Sequence, residues 1–127
     1  MTLKEMLHRQ RAFSDLFFDS RTFTDADKEQ MTKSFALELH SEVSDLVSSI
    51  NFKDHRMDRK MPDRTKILYE SVDVIRYLMA IMNVWDINEK EFKDAFEDKD
   101  AYLHFRYNLS QKSWMVDQLS SLIWMMC

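Results

Sequence analysis

The chain contains no glycine and a single proline, Pro62, among its 127 residues. Glycine enters left-handed backbone at no steric cost, so its absence removes the glycine-built hairpin. It also removes the phosphate-binding loop and the dinucleotide fingerprint, both of which need glycine where backbone meets phosphate. With only one proline, helices can run long without interruption. Both facts predict an all-α chain, in which any phosphate chemistry must be done by side chains and metal ions.

The length predicts one domain, large enough for a core. An apolar fraction of 45% beside 31% charged residues is ordinary for a folded soluble protein. The apolar runs are short and interrupted, which predicts no membrane span. The first residues, "MTLKEMLHRQ", lack the apolar run and cleavage site of a signal peptide. A lone cysteine, Cys127, cannot staple the chain to itself, and the reading is of a reducing, cytoplasmic protein. A net charge of -4 argues against nucleic-acid binding through the phosphate backbone.

Hydrophobic spacing predicts a first helix over about residues 2 to 18, with Phe13 and Phe17 continuing its apolar stripe into the core. Thr24, with Asp27 three residues on, predicts the cap of a long second helix to about Ile50. Its apolar face is Phe35, Leu39, Val43, Leu46 and Ile50. The basic, proline-containing "NFKDHRMDRKMPD" reads as a loop. Asp63 then caps a third helix to about Val84, with Ile67, Ile75, Leu78 and Met82 inward. Asp86 or Asn88 caps a fourth over roughly 89 to 108, and the tail "QKSWMVDQLSSLIWMMC" predicts a short fifth. The expected fold is a four- to five-helix bundle.

Carboxylates occupy an unusual place in this pattern. Glu38, Glu42 and Asp45 recur at spacings of four and three, so they form one stripe on the second helix. They lie roughly 110° from the centre of its apolar face, a flank and not the far solvent side. Glu70 and Asp73, roughly 140° from the centre of theirs, make a second pair on the third helix. Two antiparallel helices can bring such flanks into one cleft, where the groups repel unless a cation is present. Mg²⁺ takes oxygen ligands and suits clustered Glu and Asp. A solvated acidic face explains the spacing equally well. A di-iron bundle is excluded, because it needs two Glu-x-x-His elements and only Glu5 with His8 fits.

Taken in order, "EVSDL", the 25-residue separation of Asp45 from Glu70, and "ESVD" resemble the paired acidic motifs of the all-α nucleoside triphosphate pyrophosphohydrolases. That superfamily includes the MazG proteins and the dimeric dUTPases. An early glutamine, "INFKDHR" after the first motif and the Lys…Arg pattern of "FEDKDAYLHFRY" extend the resemblance over about residues 5 to 108.

The resemblance implies hydrolysis of a (deoxy)nucleoside triphosphate to the monophosphate and pyrophosphate, with dUTP first and another (d)NTP, purines included, as the alternative. It implies Mg²⁺, with Mn²⁺ as a substitute, on Glu42, Asp45, Glu70 and Asp73, with Glu38 and Glu42 in catalytic roles. Lys53, Lys99 and Arg106 are candidates to grip phosphate, while Arg76 is expected to pair locally with Asp73. Tyr77 shares the stripe of Glu70 and Asp73. Gln10 matches the base-reading glutamine, Ser14 stands where an asparagine is expected, and Phe52 or His55 supplies a ring.

The expected domain covers residues 1–110. Residues 111–127, with Trp114 and Trp124, form an apolar helix that seals the bundle, contacts a second subunit of a homodimer or homotetramer, or joins a longer polypeptide. A non-catalytic helical interaction module is the reading outside this class.

Overall fold

The computed structural model of the chain describes residues 1–50 and 62–126, with side chains described as far as Lys112, Ser20 excepted. It is all-helical among those residues: α1 (Leu3–Ser14), a short 3₁₀ turn (Ser20–Thr22), α2 (Asp25–Val47), α3 (Arg64–Val84) and α4 (Glu89–Met126). The chain divides into two units, Met1–Glu89 and Lys90–Cys127. In the first, α3 packs against both α2 and α1, with α2 its principal partner.

Local chemistry sets the helix ends. The Thr24 hydroxyl accepts from the Asp27 N–H at 3.2 Å, and the Asp27 carboxylate accepts from the Thr24 N–H at 3.0 Å. This reciprocal capping box satisfies two backbone donors that the first turn leaves without partners. Asp63 caps α3 through the Lys66 N–H at 3.0 Å, and Thr2 caps α1 through the Glu5 N–H at 3.1 Å. The C-terminus of α3 must turn without glycine. Asp86 takes the left-handed conformation there (φ 53°), the Ile87 N–H reaches back to the Met82 carbonyl and the Asp86 N–H to that of Asn83. Aspartate is among the few residues other than glycine that visit this region readily.

Two expected boundaries move. α1 stops at Ser14, and residues 15–17 form a turn after which Phe18 lies against Phe35 of α2, with ring centroids 6.2 Å apart. α4 runs unbroken for 38 residues where a break near residue 108 was expected. Asn108, Ser110 and Ser113 each cost a helix only about 0.5 kcal/mol relative to alanine, and nothing stronger interrupts it.

The packed core is small. Among the described residues the buried apolar side chains are Leu7, Met79, Ala80 and Val84. Ile75 and Leu78, expected inward, are exposed, as are Val43 and Ile50 on α2. The buried residues of α3, Met79, Ala80, Asn83 and Val84, gather toward its C-terminal end, where Asn83 bonds to α1. Phe13 and Phe17, expected in the core, are 49% and 66% exposed.

Asn83 ties α3 to α1 in the middle of this core. Its Nδ2 donates to the Leu7 carbonyl at 3.0 Å, and its own carbonyl accepts from Arg11 Nη2 at 3.1 Å. Replacing Asn83 with alanine leaves the Leu7 carbonyl without that buried donor. The expected cost is about 1–3 kcal/mol, read as a lowered denaturation midpoint with unchanged helix content.

Candidate functional site

A pocket of about 700 Å³ opens in the first unit, with α3 as its floor and α1 and α2 as its walls. Its lining changes character along its length. At one end stand Glu38, Glu42 and Asp73; at the other, Phe13, Phe17, Phe18 and Phe35. Arg76 and Tyr77 lie between, and Gln10 joins the lining from α1.

The antiparallel course of α2 and α3 creates the acidic end. One carboxylate oxygen from each of Glu42, Asp45 and Glu70 lies within 4.8 Å of the others. Glu42 and Glu70 are half-buried and Asp45 is exposed. Partial burial, then the charges of Asp73, Asp45, Glu70 and Glu38, push the Glu42 carboxyl above its ordinary value. None of the five is ion-paired with a described basic side chain. Three oxygen donors held this closely, in mutual repulsion and with no basic partner among the described residues, could hold a metal ion.

That repulsion makes stability depend on pH. A carboxyl whose native pKa is raised binds more protons in the native than in the unfolded state between the two values, so stability falls as pH rises through that window. Metal-free protein should therefore lose melting temperature as pH climbs upward from the ordinary value of 4.5. Glu42→Gln should flatten the dependence and raise the neutral-pH midpoint. Melts in EDTA from acid to neutral pH check both, and an unchanged slope in the variant would assign the dependence to other groups.

The aromatic end is a connected set of rings. Phe13 meets Phe17 edge-on with centroids 5.5 Å apart, Phe17 meets Phe18 at 6.5 Å, Phe18 meets Phe35 at 6.2 Å, and Phe35 meets Tyr77 at 6.2 Å. Such pairs gain from edge–face geometry as well as from area. Tyr77 closes the series beside the carboxylates. Its own burial, followed by the charges of Glu38, Glu42 and Asp73, raises its hydroxyl pKa, so it stays a neutral donor through the physiological range.

Gln10 of α1 lines the pocket and is only 7% exposed. Its Nε2 donates to Ser14 Oγ at 3.4 Å, but its Oε1 is buried and has no hydrogen-bond partner among the described residues. Buried polar atoms are rarely left so, because an unmade hydrogen bond costs about 1–3 kcal/mol.

The candidates read from sequence thus fall into three sets. Gln10, Glu38, Glu42, Asp73 and Tyr77 line one pocket, and Asp45 and Glu70 lie close beside Glu42. Lys99 and Arg106 lie on α4 in the second unit, where Lys99 borders a shallow groove with Phe92, Phe96 and Leu103, and Arg106 sits over the Tyr102 ring at 5.9 Å. Phe52, Lys53 and His55 lie outside the described residues. Arg76 makes no ion pair with Asp73 and lies instead over the Phe13 ring, 5.3 Å from its centroid. Sequence reading missed the chamber role of Phe13 and Phe17, since helical spacing marks apolar residues without saying whether they face a core or a cavity.

Comparison with models of known protein families, with curated proteins and with solved structures finds no match. Among the described residues, no helix is long and apolar enough to cross a membrane.

Proposed function

We propose that this chain hydrolyses a (deoxy)nucleoside triphosphate, dUTP or a related pyrimidine nucleotide first, to the monophosphate and pyrophosphate. One observation carries the reading: a single pocket brings together carboxylates without a basic partner among the described residues, an aromatic chamber, and a buried amide oxygen that has no partner among those residues either. A nucleotide has complementary parts. Its phosphates demand a cation, its base stacks on rings, and the edge of that base carries N–H donors. The pocket's volume lies within the range typical of small-molecule sites.

In this reading Glu42, Asp45, Glu70 and Asp73 hold Mg²⁺, with Mn²⁺ able to replace it. The cation would offset phosphate charge and lower the pKa of a nearby water. Glu38 lines the same pocket without a basic partner among the described residues, so it can orient the attacking water and accept its proton. Water adds across the anhydride, and pyrophosphate leaves with the bonding electrons of the broken P–O bond. The chamber fixes the nucleoside, so that the reacting phosphoryl group is presented in one orientation. Lys53 remains a candidate for the outer phosphates.

The same reading includes a cytoplasmic homodimer or homotetramer. Leu68, Val72 and Ile75 recur at spacings of four and three on α3, beside Met6 and Arg9 of α1, and all are exposed. A stripe of this spacing is the seam along which helices pair.

The test is pyrophosphate release from the standard dNTPs, dUTP and the NTPs, with Mg²⁺ and with EDTA. Release from one or a few nucleotides in Mg²⁺ alone is the expected result. A folded protein releasing none would return the carboxylates to solvated surface and leave the chain an interaction module.

A further inference from the structure

Arg76 sits one turn beyond Asp73 on α3, about 4.5 Å further along the axis by the rise of an α-helix. It lies at the level of the pocket where carboxylates give way to rings, and it is the single cationic side chain among the described lining residues. Its guanidinium covers the face of Phe13. It makes no hydrogen bond or ion pair among the described residues. Stacking on a ring engages the flat face of a guanidinium and leaves its N–H edge free, in a fork whose spacing matches two phosphate oxygens.

We infer that Arg76 binds the phosphoryl group adjoining the nucleoside, the one retained in the monophosphate product. The inference rests on the proposed nucleotide hydrolysis and adds a residue to it. A ligand with its terminal phosphates at the carboxylates and its base among the rings must pass Arg76 at the junction. The group at that point is the α-phosphate. Phe13 then has two tasks: it walls the chamber, and it holds the guanidinium in plane so that little side-chain entropy is lost on binding. Such a contact survives hydrolysis, so Arg76 should govern product affinity as well as substrate affinity.

The test is equilibrium titration in Mg²⁺ of the monophosphate and of the nucleoside of the best-cleaved nucleotide, dUMP and deoxyuridine on the present reading. It is run on the wild type, Arg76→Met and Arg76→Lys. Methionine keeps apolar contact with Phe13 and loses the fork; lysine keeps the charge and loses the planar pair. Arg76→Met should weaken the monophosphate about 10- to 100-fold and leave the nucleoside within about twofold, with Arg76→Lys between. Equal weakening of both ligands would make Arg76 a wall of the chamber and overturn the inference. So would an unchanged monophosphate affinity in a wild type that cleaves nucleotides, with the hydrolase reading left standing. A wild type that neither cleaves any triphosphate nor binds its monophosphate would remove both.

Discussion

Asp73→Asn and Glu70→Gln should each lower pyrophosphate release by on the order of 10²–10³-fold while leaving the protein folded. The two amides are nearly isosteric with the acids, so helix packing is unchanged and only charge and oxygen donation are lost. Because the phosphates carry several negative charges, most of the barrier is electrostatic, and removing one preorganised charge from a partly dry site has effects of this size. The two variants should also differ. Glu70 belongs to the triad whose oxygens lie within 4.8 Å of one another, so its amide should abolish the stabilisation that Mg²⁺ gives the native state. That stabilisation is about 2.7 kcal/mol at a hundredfold excess over the dissociation constant. Asp73 lines the pocket itself and, among the neighbouring carboxylates, acts most strongly on Glu42, so its amide should retain part of the Mg²⁺ response. Melting curves with and without Mg²⁺, run beside the activity assay, separate metal affinity from chemistry. If both amides kept full activity, the acidic end would have no catalytic role.

What could be read from the sequence was what local chemistry decides. Thr24 with Asp27, and Asp63, carry their cap geometry in their side chains, so the starts of α2 and α3 coincide with expectation. The carboxylate stripes depend only on helical period, and the antiparallel course of α2 and α3 brings them to one end of a pocket. What could not be read depends on partners distant in the chain. Ile75 and Leu78 look like core on a helical wheel but are exposed, and Ile75 borders a pocket shared with Met6 and Arg9 of α1.

Arg76 shows the same limit at the site. Three residues after Asp73 it has the spacing of a local ion pair, yet the ring of Phe13, sixty-three positions away, provides the competing partner. The burial of Gln10 is likewise set by α3, not by its neighbours on α1, and its spacing alone identifies nothing. The absence of glycine had a local consequence that composition could announce only in general terms: Asp86 does the work of a helix-ending glycine while also pairing with Arg11 at 3.1 Å.

Gln10→Leu should move stability and nucleotide affinity in opposite directions. In the free protein the Oε1 atom is buried without a hydrogen-bond partner among the described residues, and only the long 3.4 Å bond from Nε2 to Ser14 offsets the desolvation of the amide. Leucine of similar volume removes the unmet acceptor, and a gain of up to about 1–2 kcal/mol in unfolding free energy is expected. In the complex the same oxygen would accept an N–H from the base, so its loss should raise KM for the preferred nucleotide about 10- to 100-fold. Analogues lacking that donor should be unaffected, which narrows discrimination between bases. A glutamine that merely fills space would give the first effect without the second. Ser14→Ala makes the control: it removes the only described partner of Nε2 and frees the amide to rotate. It should weaken base discrimination without the gain in stability, because the acceptor is still present. A stabilised Gln10→Leu protein with unaltered base preference would show that the unpartnered oxygen is a packing defect, and the residue that reads the base would have to be sought elsewhere in the pocket.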